Sequence, residues 1–329
     1  MVLCPDLDLR LSESGDPLCP VIFADPGDGA PRGSLPVVVG VLRGTEPPPA
    51  ALEEFALTLT EGPAYAPQLV RVPNLGAAIE QLREAVDRSP RAALACIHLL
   101  RYAADSTLAG LAAEAAAFSM LLGGPEFARW LEDRGPARPS PAQNRPLVRI
   151  RRHDGELAIT LNHPRRRNAL SGQLRAELLA AVEVAAADPS ITRVIIDGAG
   201  PGFCSGGDLS EFGLARDPTS AYLVRLTHAP WRVTDSISER VTMRVHGACV
   251  GAGAEIAAFG GQVIAAPDTF FSFPEVSMGL VPGAGGTVSV PRRIGRWRAA
   301  WLFLTGERLT AAAALDWGLV DEIGPGNVA

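Results

Sequence analysis

The chain has 329 residues, 47% of them hydrophobic and 20% charged, with a formal net charge of −6. Composition and length suit a globular protein with one large domain or two of average size. The acidic balance argues against a nucleic-acid surface. All 30 basic residues are arginine, which excludes Schiff-base chemistry on a lysine and a P-loop. Any phosphate must then be held by arginine or by backbone N–H groups. Cys4, Cys19, Cys96, Cys204 and Cys249 are scattered without a C-x-x-C pair. That pattern predicts free thiols in a reducing cytoplasm and no metal site. Residues 1–6 lack the basic and apolar regions of a signal peptide. No stretch reaches the ~18 apolar residues of a membrane span, so a cytoplasmic protein without a membrane partner is expected.

Residues 1–34 are rich in Pro, Gly and Asp and predict irregular structure. Residues 35–42 (LPVVVGVL) predict a buried strand. Helical periodicity is read over 50–60, and short strands over 69–72 and 93–100. Asn74 is the expected N-cap of a helix reaching Arg88. An Ala/Leu-rich helix is expected from Ser106 to Leu122, followed by a short one ending near Asp133. Glu114 and His98 stand alone in apolar patterns and read as satisfied structural groups. Four prolines among residues 134–146 exclude a helix or a central strand there and predict a linker. The expected organisation is an α/β extension over 1–134, a Pro-rich linker over 135–146 and a second domain over 147–329.

The second domain opens with a predicted hairpin, strands 148–152 and 156–162 joined by His153-Asp154-Gly155. Ser171 caps an expected helix to about Ala187. Strands are expected over 193–197, 243–245, 263–265 and 269–272, and helices over 296–304 and 310–317. Several predicted strands run into small-residue turns, as in stacked ββα units. The first such turn is Gly202-Phe203-Cys204-Ser205-Gly206-Gly207-Asp208, and the second is Gly251-Ala252-Gly253-Ala254-Glu255.

These turns fit three kinds of chemistry to different degrees. Gly251–Glu255 lacks the third glycine and the distal acid of a dinucleotide site. Cys204 occupies the nucleophile position of an elbow-like turn, but no Asp/His order follows, and a buried thiol is the simpler account. Bare N–H groups at such turns suit an oxyanion, and Glu255 and Glu275 suit proton transfer at neutral pH. Either glutamate could instead be a helix-start carboxylate held by the dipole.

Six segments in order resemble the crotonase (enoyl-CoA hydratase/isomerase) superfamily over about 147–323. They are Asn162-His163-Pro164 with Asn168-Ala169-Leu170, then Phe203–Leu209, then Val245-His246-Gly247 with Gly251–Glu255. Pro274-Glu275 with Gly279–Gly286, Thr305–Leu309 and Gly318–Asp321 follow. The resemblance implies an α/β fold, a crotonase-like spiral of ββα units, here preceded by a small α/β region with a helical tail. It places an oxyanion hole on the N–H groups of Gly207 and Ala252, where a thioester oxygen can approach to about 2.7–3.1 Å. It places the two hydratase carboxylates on Glu255 and Glu275, and the turn 283–286 aims a helix N-terminus at the attacking water. Arg165 is implied at the nucleotide end of coenzyme A, and the backbone around Ser205 at the adenine.

The implied substrate is an acyl-CoA thioester, with coenzyme A as part of the substrate and no separate cofactor. The implied reaction is hydration of a 2-enoyl-CoA to a 3-hydroxyacyl-CoA, in a homo-trimer or a dimer of trimers. Isomerisation, decarboxylation, thioester hydrolysis, a biosynthetic dioxygenase reaction and silent acyl-CoA binding are the alternatives on this scaffold. Family members carry one further helical segment after the point where this sequence stops. The apolar stretch over 108–131 resembles that segment and is expected to cover the acyl pocket of its own or a neighbouring subunit, unless the first region is an independent domain.

Overall fold

The computed structural model describes residues 8–28, 33–44, 47–102, 106–137, 143–215 and 217–325. Cys4 and residues 138–142 of the expected linker lie outside them. In the first region, β1 (Val21–Ala24), β2 (Val37–Leu42), β3 (Leu57–Thr60) and β4 (Leu69–Arg71) form a parallel sheet in that order. Every residue of β2 is buried, as the unbroken VVVGVL run requires of a strand covered on both faces.

Helices α1 (Leu75–Arg88), α2 (Pro90–Arg101), α3 (Thr107–Leu122) and α4 (Pro125–Arg134) follow. Asn74 caps α1 through its side-chain oxygen, which accepts from Ala77 N–H at 2.8 Å, and Ser106 caps α3 through Ala109 N–H at 3.2 Å. No single helix is long and apolar enough to cross a membrane; α3 and α4 would suffice only as a pair, and they meet at a 63° bend.

Three expectations for this region fail. Residues 21–24 form β1 rather than irregular chain. The helix read over 50–60 is a single 3-10 turn, Pro49–Leu52, followed by β3. In β3 the LTLT alternation is buried at every position, so packing overrides the weak helical spacing around it. The strand read over 93–100 is α2, entered through Pro90 and burying Ala92, Ala93, Leu94, Cys96, Ile97 and Leu100. Taken without its flanking residues, the short apolar run over 92–97 cannot be told from a buried strand.

The second region starts with the predicted hairpin, β5 (Val148–His153) and β6 (Glu156–Leu161), with Asp154 in the left-handed conformation at the turn. Next come α5 (Gly172–Ala187), β7 (Arg193–Gly198), α6 (Pro218–Thr227) and α7 (Pro230–Ser236). The spiral continues through β8 (Val241–Val245), β9 (Ala248–Val250), α8 (Ala252–Ala257), β10 (Gln262–Ala265) and β11 (Phe270–Ser272). It closes with α9 (Gly286–Ile294), α10 (Arg296–Thr305), β12 (Leu309–Thr310), α11 (Ala311–Trp317) and β13 (Glu322–Ile323). One sheet has the order β13-β10-β8-β7-β6-β5 and a smaller one the order β9-β11-β12. Helices α6 and α7 had no counterpart in the sequence expectation.

The two regions share one hydrophobic core. Helix α10 packs on β3 and β4 and on α1 and α2, while α3 packs on α6 and α9. Arg296, at the start of α10, donates to the carbonyls of Phe55 and Glu53 across this boundary. The Ala-rich helix α3 therefore buries Leu111, Phe118 and Leu121 inside its own chain, while Leu108 and Met120 stay exposed.

Candidate active site

Two small-residue turns are drawn together, one after β7 and one after β9. Asn168 ties the first of them down. Its Oδ1 accepts from His163 N–H at 2.7 Å, and its Nδ2 donates to the carbonyls of Ala199, Gly202 and Phe203 at 2.9, 3.0 and 3.0 Å. The side chain is fully buried and its φ is +54°, a conformation that asparagine tolerates better than most residues. Cys204 N–H donates to Ala248 O, and Val250 N–H to Cys204 O, which lays this turn along β9.

The chain then reaches Gly251 at φ +48°, where a Cβ would stand 2.3 Å from Glu275 Oε1. Glycine at 251 is thus required twice, by the backbone and by the carboxylate beside it. Gly207 and Ala252 line one cavity of about 220 Å³ together with Glu255 and Glu275. As the first residue of α8, Ala252 has no acceptor for its N–H within its own helix. Gly207 N–H has none among the described residues. The structure thus brings the four residues expected at the centre to a single wall.

The turn before α9 does not aim its amides at water, as the sequence led one to expect. Glu255 Oε2 accepts from Ala284 and Gly286 N–H at 2.6 and 2.8 Å, leaving Oε1 without a donor among the described residues. A third carboxylate takes the remaining donors. Glu114, on α3, accepts from Gly285 N–H at 2.7 Å through Oε1, and from Thr287 N–H and Oγ1 at 2.8 and 2.7 Å through Oε2. The partners lie more than 170 residues away in sequence, and no local pattern around Glu114 announces them. Glu114 is a satisfied group, as expected, but the turn it satisfies belongs to the cavity wall.

Burial dominates the electrostatics. It pushes Glu275 and Glu114 up to about 7, and Glu255 well above the ordinary carboxylate range, with repulsion from Glu275 and Glu114 adding to the last. Glu275 Oε2 is buried without a hydrogen-bond partner. Cys204 is also buried, and burial raises its thiol to about 12, so it is no nucleophile at neutral pH. Phe118 and Leu122 of α3, with Phe212 and Trp231, supply apolar wall.

Arg165 and Ser205 stand apart from this cavity. Arg165 is exposed on the turn Pro164–Arg166. Ser205 N–H donates to Arg167 O at 3.0 Å, so both residues belong to one lip of the molecule. Their neighbour Arg166 pairs with Asp208 at 2.6 Å.

A spiral of ββα turns with backbone donors and paired carboxylates facing one cavity defines an α/β acyl-CoA enzyme of the crotonase class. The enoyl-CoA hydratase/isomerase family model matches residues 151–328, and the chain belongs to that family. It is 34% identical to 2,3-dehydroadipyl-CoA hydratase of Escherichia coli (strain K12), over 54% of this chain and 69% of that protein. It is also 34% identical to 1,2-epoxyphenylacetyl-CoA isomerase of the same organism, over 51% of this chain and 66% of that one. The match thus spans about two thirds of these relatives' lengths. Among solved structures, enoyl-CoA hydratase from Thermoplasma volcanium GSS1 superposes with a TM-score of 0.50 at 32% identity, covering 55% of this chain and 72% of that one.

Proposed function

We propose that the chain hydrates a 2-enoyl-CoA to the 3-hydroxyacyl-CoA. The observation that carries this is the convergence of Glu255, Glu275 and the N–H groups of Gly207 and Ala252 on one cavity. The thioester oxygen would accept from the two N–H groups, which point where enolate charge develops and need no reorganisation. Glu255 would take a proton from water through the oxygen that α9 leaves free. Glu275, raised into the neutral range, would hold the proton that goes to the α-carbon. Helix α3 would exclude water from the enolate through Phe118 and Leu122.

Loss of enoyl absorbance on adding the protein to crotonyl-CoA and longer enoyl-CoAs tests this directly. No turnover on any of them would overturn it. The reaction needs one carboxylate and one carboxylic acid, so kcat/KM is expected to peak near pH 7. With one proton shared between Glu255 and Glu275, it falls on the acid side as the pair takes up a second proton and on the alkaline side as the pair loses its last. Stability follows a different course. Glu114 and Glu275 bind protons more tightly folded than unfolded, so their contribution is largest below 4.5 and declines as pH rises through about 7.

The nucleotide end of coenzyme A would lie along the lip formed by Arg165 and Ser205. With no lysine in the chain, an exposed arginine turn is a natural contact for its phosphates. Arg165→Glu should raise the KM for CoA thioesters about 2- to 10-fold at low salt with little change in kcat. An unchanged KM at low salt would remove Arg165 from the CoA site.

A further inference from the structure

Two guanidinium groups share the cavity with the carboxylates, and the hydration step uses neither. Arg175 lies in the first turn of α5, and its buried Nε has no hydrogen-bond partner. Among the described residues no carboxylate stands within ion-pair distance of it. Glu211, the acid that acts on it through space, accepts instead from Gly172 N–H at 3.0 and 2.9 Å. Arg225, on α6, donates to Gly283 O at 2.6 Å and sits 3.3 Å from the centroid of the Phe118 ring. It has a hydrogen bond and a ring but no ion-paired carboxylate among the described residues. Burial lowers Arg175 and pulls Arg225 down to about 10; the charges of Glu114 and Glu255 oppose the fall of Arg225, and that of Arg175 adds to it.

Elsewhere in this fold several arginines are ion-paired, although Arg101, Arg244 and Arg298 also keep a buried Nε without a hydrogen-bond partner. Arg166 pairs with Asp208 at 2.6 Å, Arg292 with Asp235 at 2.9 Å and Arg293 with Asp321 at 3.0 Å. Asp208 also faces the cavity; Arg166 and Ser210 hold its Oδ1, while its Oδ2 is buried without a partner. Two desolvated like charges on one wall are costly unless an anion completes the set. A guanidinium fork fits a carboxylate through two parallel hydrogen bonds.

We propose that Arg175 and Arg225 receive a carboxylate at the far end of the acyl chain, so that the preferred substrates are CoA thioesters of unsaturated dicarboxylic acids. This rests on the assignment of the cavity to an acyl-CoA and adds the chemical class of the acyl group. The neutral end of a simple fatty acyl chain would leave neither guanidinium in a close ion pair, with Glu114, Glu255 and Glu211 acting on them only through space.

Calorimetric binding of valeryl-CoA and glutaryl-CoA to the full chain tests the proposal. These saturated thioesters have equal carbon counts and differ in a terminal methyl against a terminal carboxylate, and neither can be hydrated. Glutaryl-CoA is expected to bind about 10- to 100-fold more tightly. Arg175→Gln and Arg225→Gln should each shrink that ratio. Equal binding of the two thioesters by the unaltered protein overturns the proposal and needs no variant. So does an Arg175→Gln protein that weakens both thioesters equally, which would assign the arginine to the CoA phosphates. Binding does not depend on turnover, so the two ideas fail separately. A protein that prefers glutaryl-CoA but hydrates nothing loses only the hydratase assignment, and one that hydrates crotonyl-CoA with a ratio of one loses only this inference.

Discussion

Glu255→Gln and Glu275→Gln are each expected to lower kcat for enoyl-CoA hydration by about 10²–10⁴. Glutamine keeps the size of the side chain and removes its ability to exchange a proton. At position 255 the amide oxygen can still accept from Ala284 and Gly286 N–H, so the entry to α9 stays closed. At position 275 the buried oxygen without a partner becomes an amide group, and the fold loses no hydrogen bond through that atom. Melting temperatures should therefore move little while turnover collapses. Steady-state rates on one enoyl-CoA, measured beside thermal unfolding, check both halves. Full activity in both variants would end the two-carboxylate mechanism. Activity that depends on only one of them would move the assignment to double-bond isomerisation, in which a single carboxylate shuttles the proton.

The centre of this site was legible because its chemistry is local. Gly207, Ala252 and Gly251 are small residues beside strand ends, and that pattern can be read without knowing what faces it. Glu255 and Glu275 stand in the same short segments. The strands β2, β7, β8 and β10 were readable from apolar runs bounded by turns, and the caps Asn74 and Ser171 from their position before helical periodicity. Elements that failed are those decided by distant packing. Helix α2 packs between α3 and α10, and its short apolar run over 92–97 is the kind of segment that length and flanking residues, not the run itself, assign to helix or strand. Helix α6 exposes Leu223 and Val224 while placing Arg225 at the cavity, and its one local start signal, the Asp217 cap followed by Pro218, comes without an apolar stripe to extend it. Arg175 was hidden inside a helix read for its cap and apolar spacing.

Glu114 is the most consequential residue that local pattern could not place, and Glu114→Ala is expected to be strongly destabilising. It would orphan the N–H groups of Gly285 and Thr287 and the Thr287 hydroxyl, three buried donors worth about 1–3 kcal/mol each. Such losses do not add fully, and removing a buried carboxylate also relieves its repulsion of Glu255 and Glu275. A net loss on the order of 3–5 kcal/mol is expected. Glu114→Gln separates the two effects in large part: the charge is gone, the amide oxygen can keep the Thr287 N–H bond, and only the bond from Gly285 N–H is lost where the NH2 replaces Oε1. The charge of Glu114 helps hold Glu255 and Glu275 above their ordinary range, so its removal should let both ionise at lower pH. The kcat/KM optimum of Glu114→Gln should therefore move toward acid, with far less loss of melting temperature than in Glu114→Ala. An unshifted pH profile in Glu114→Gln would reduce Glu114 to a fastener between α3 and α9. An acid shift makes the first region of the chain part of the proton chemistry.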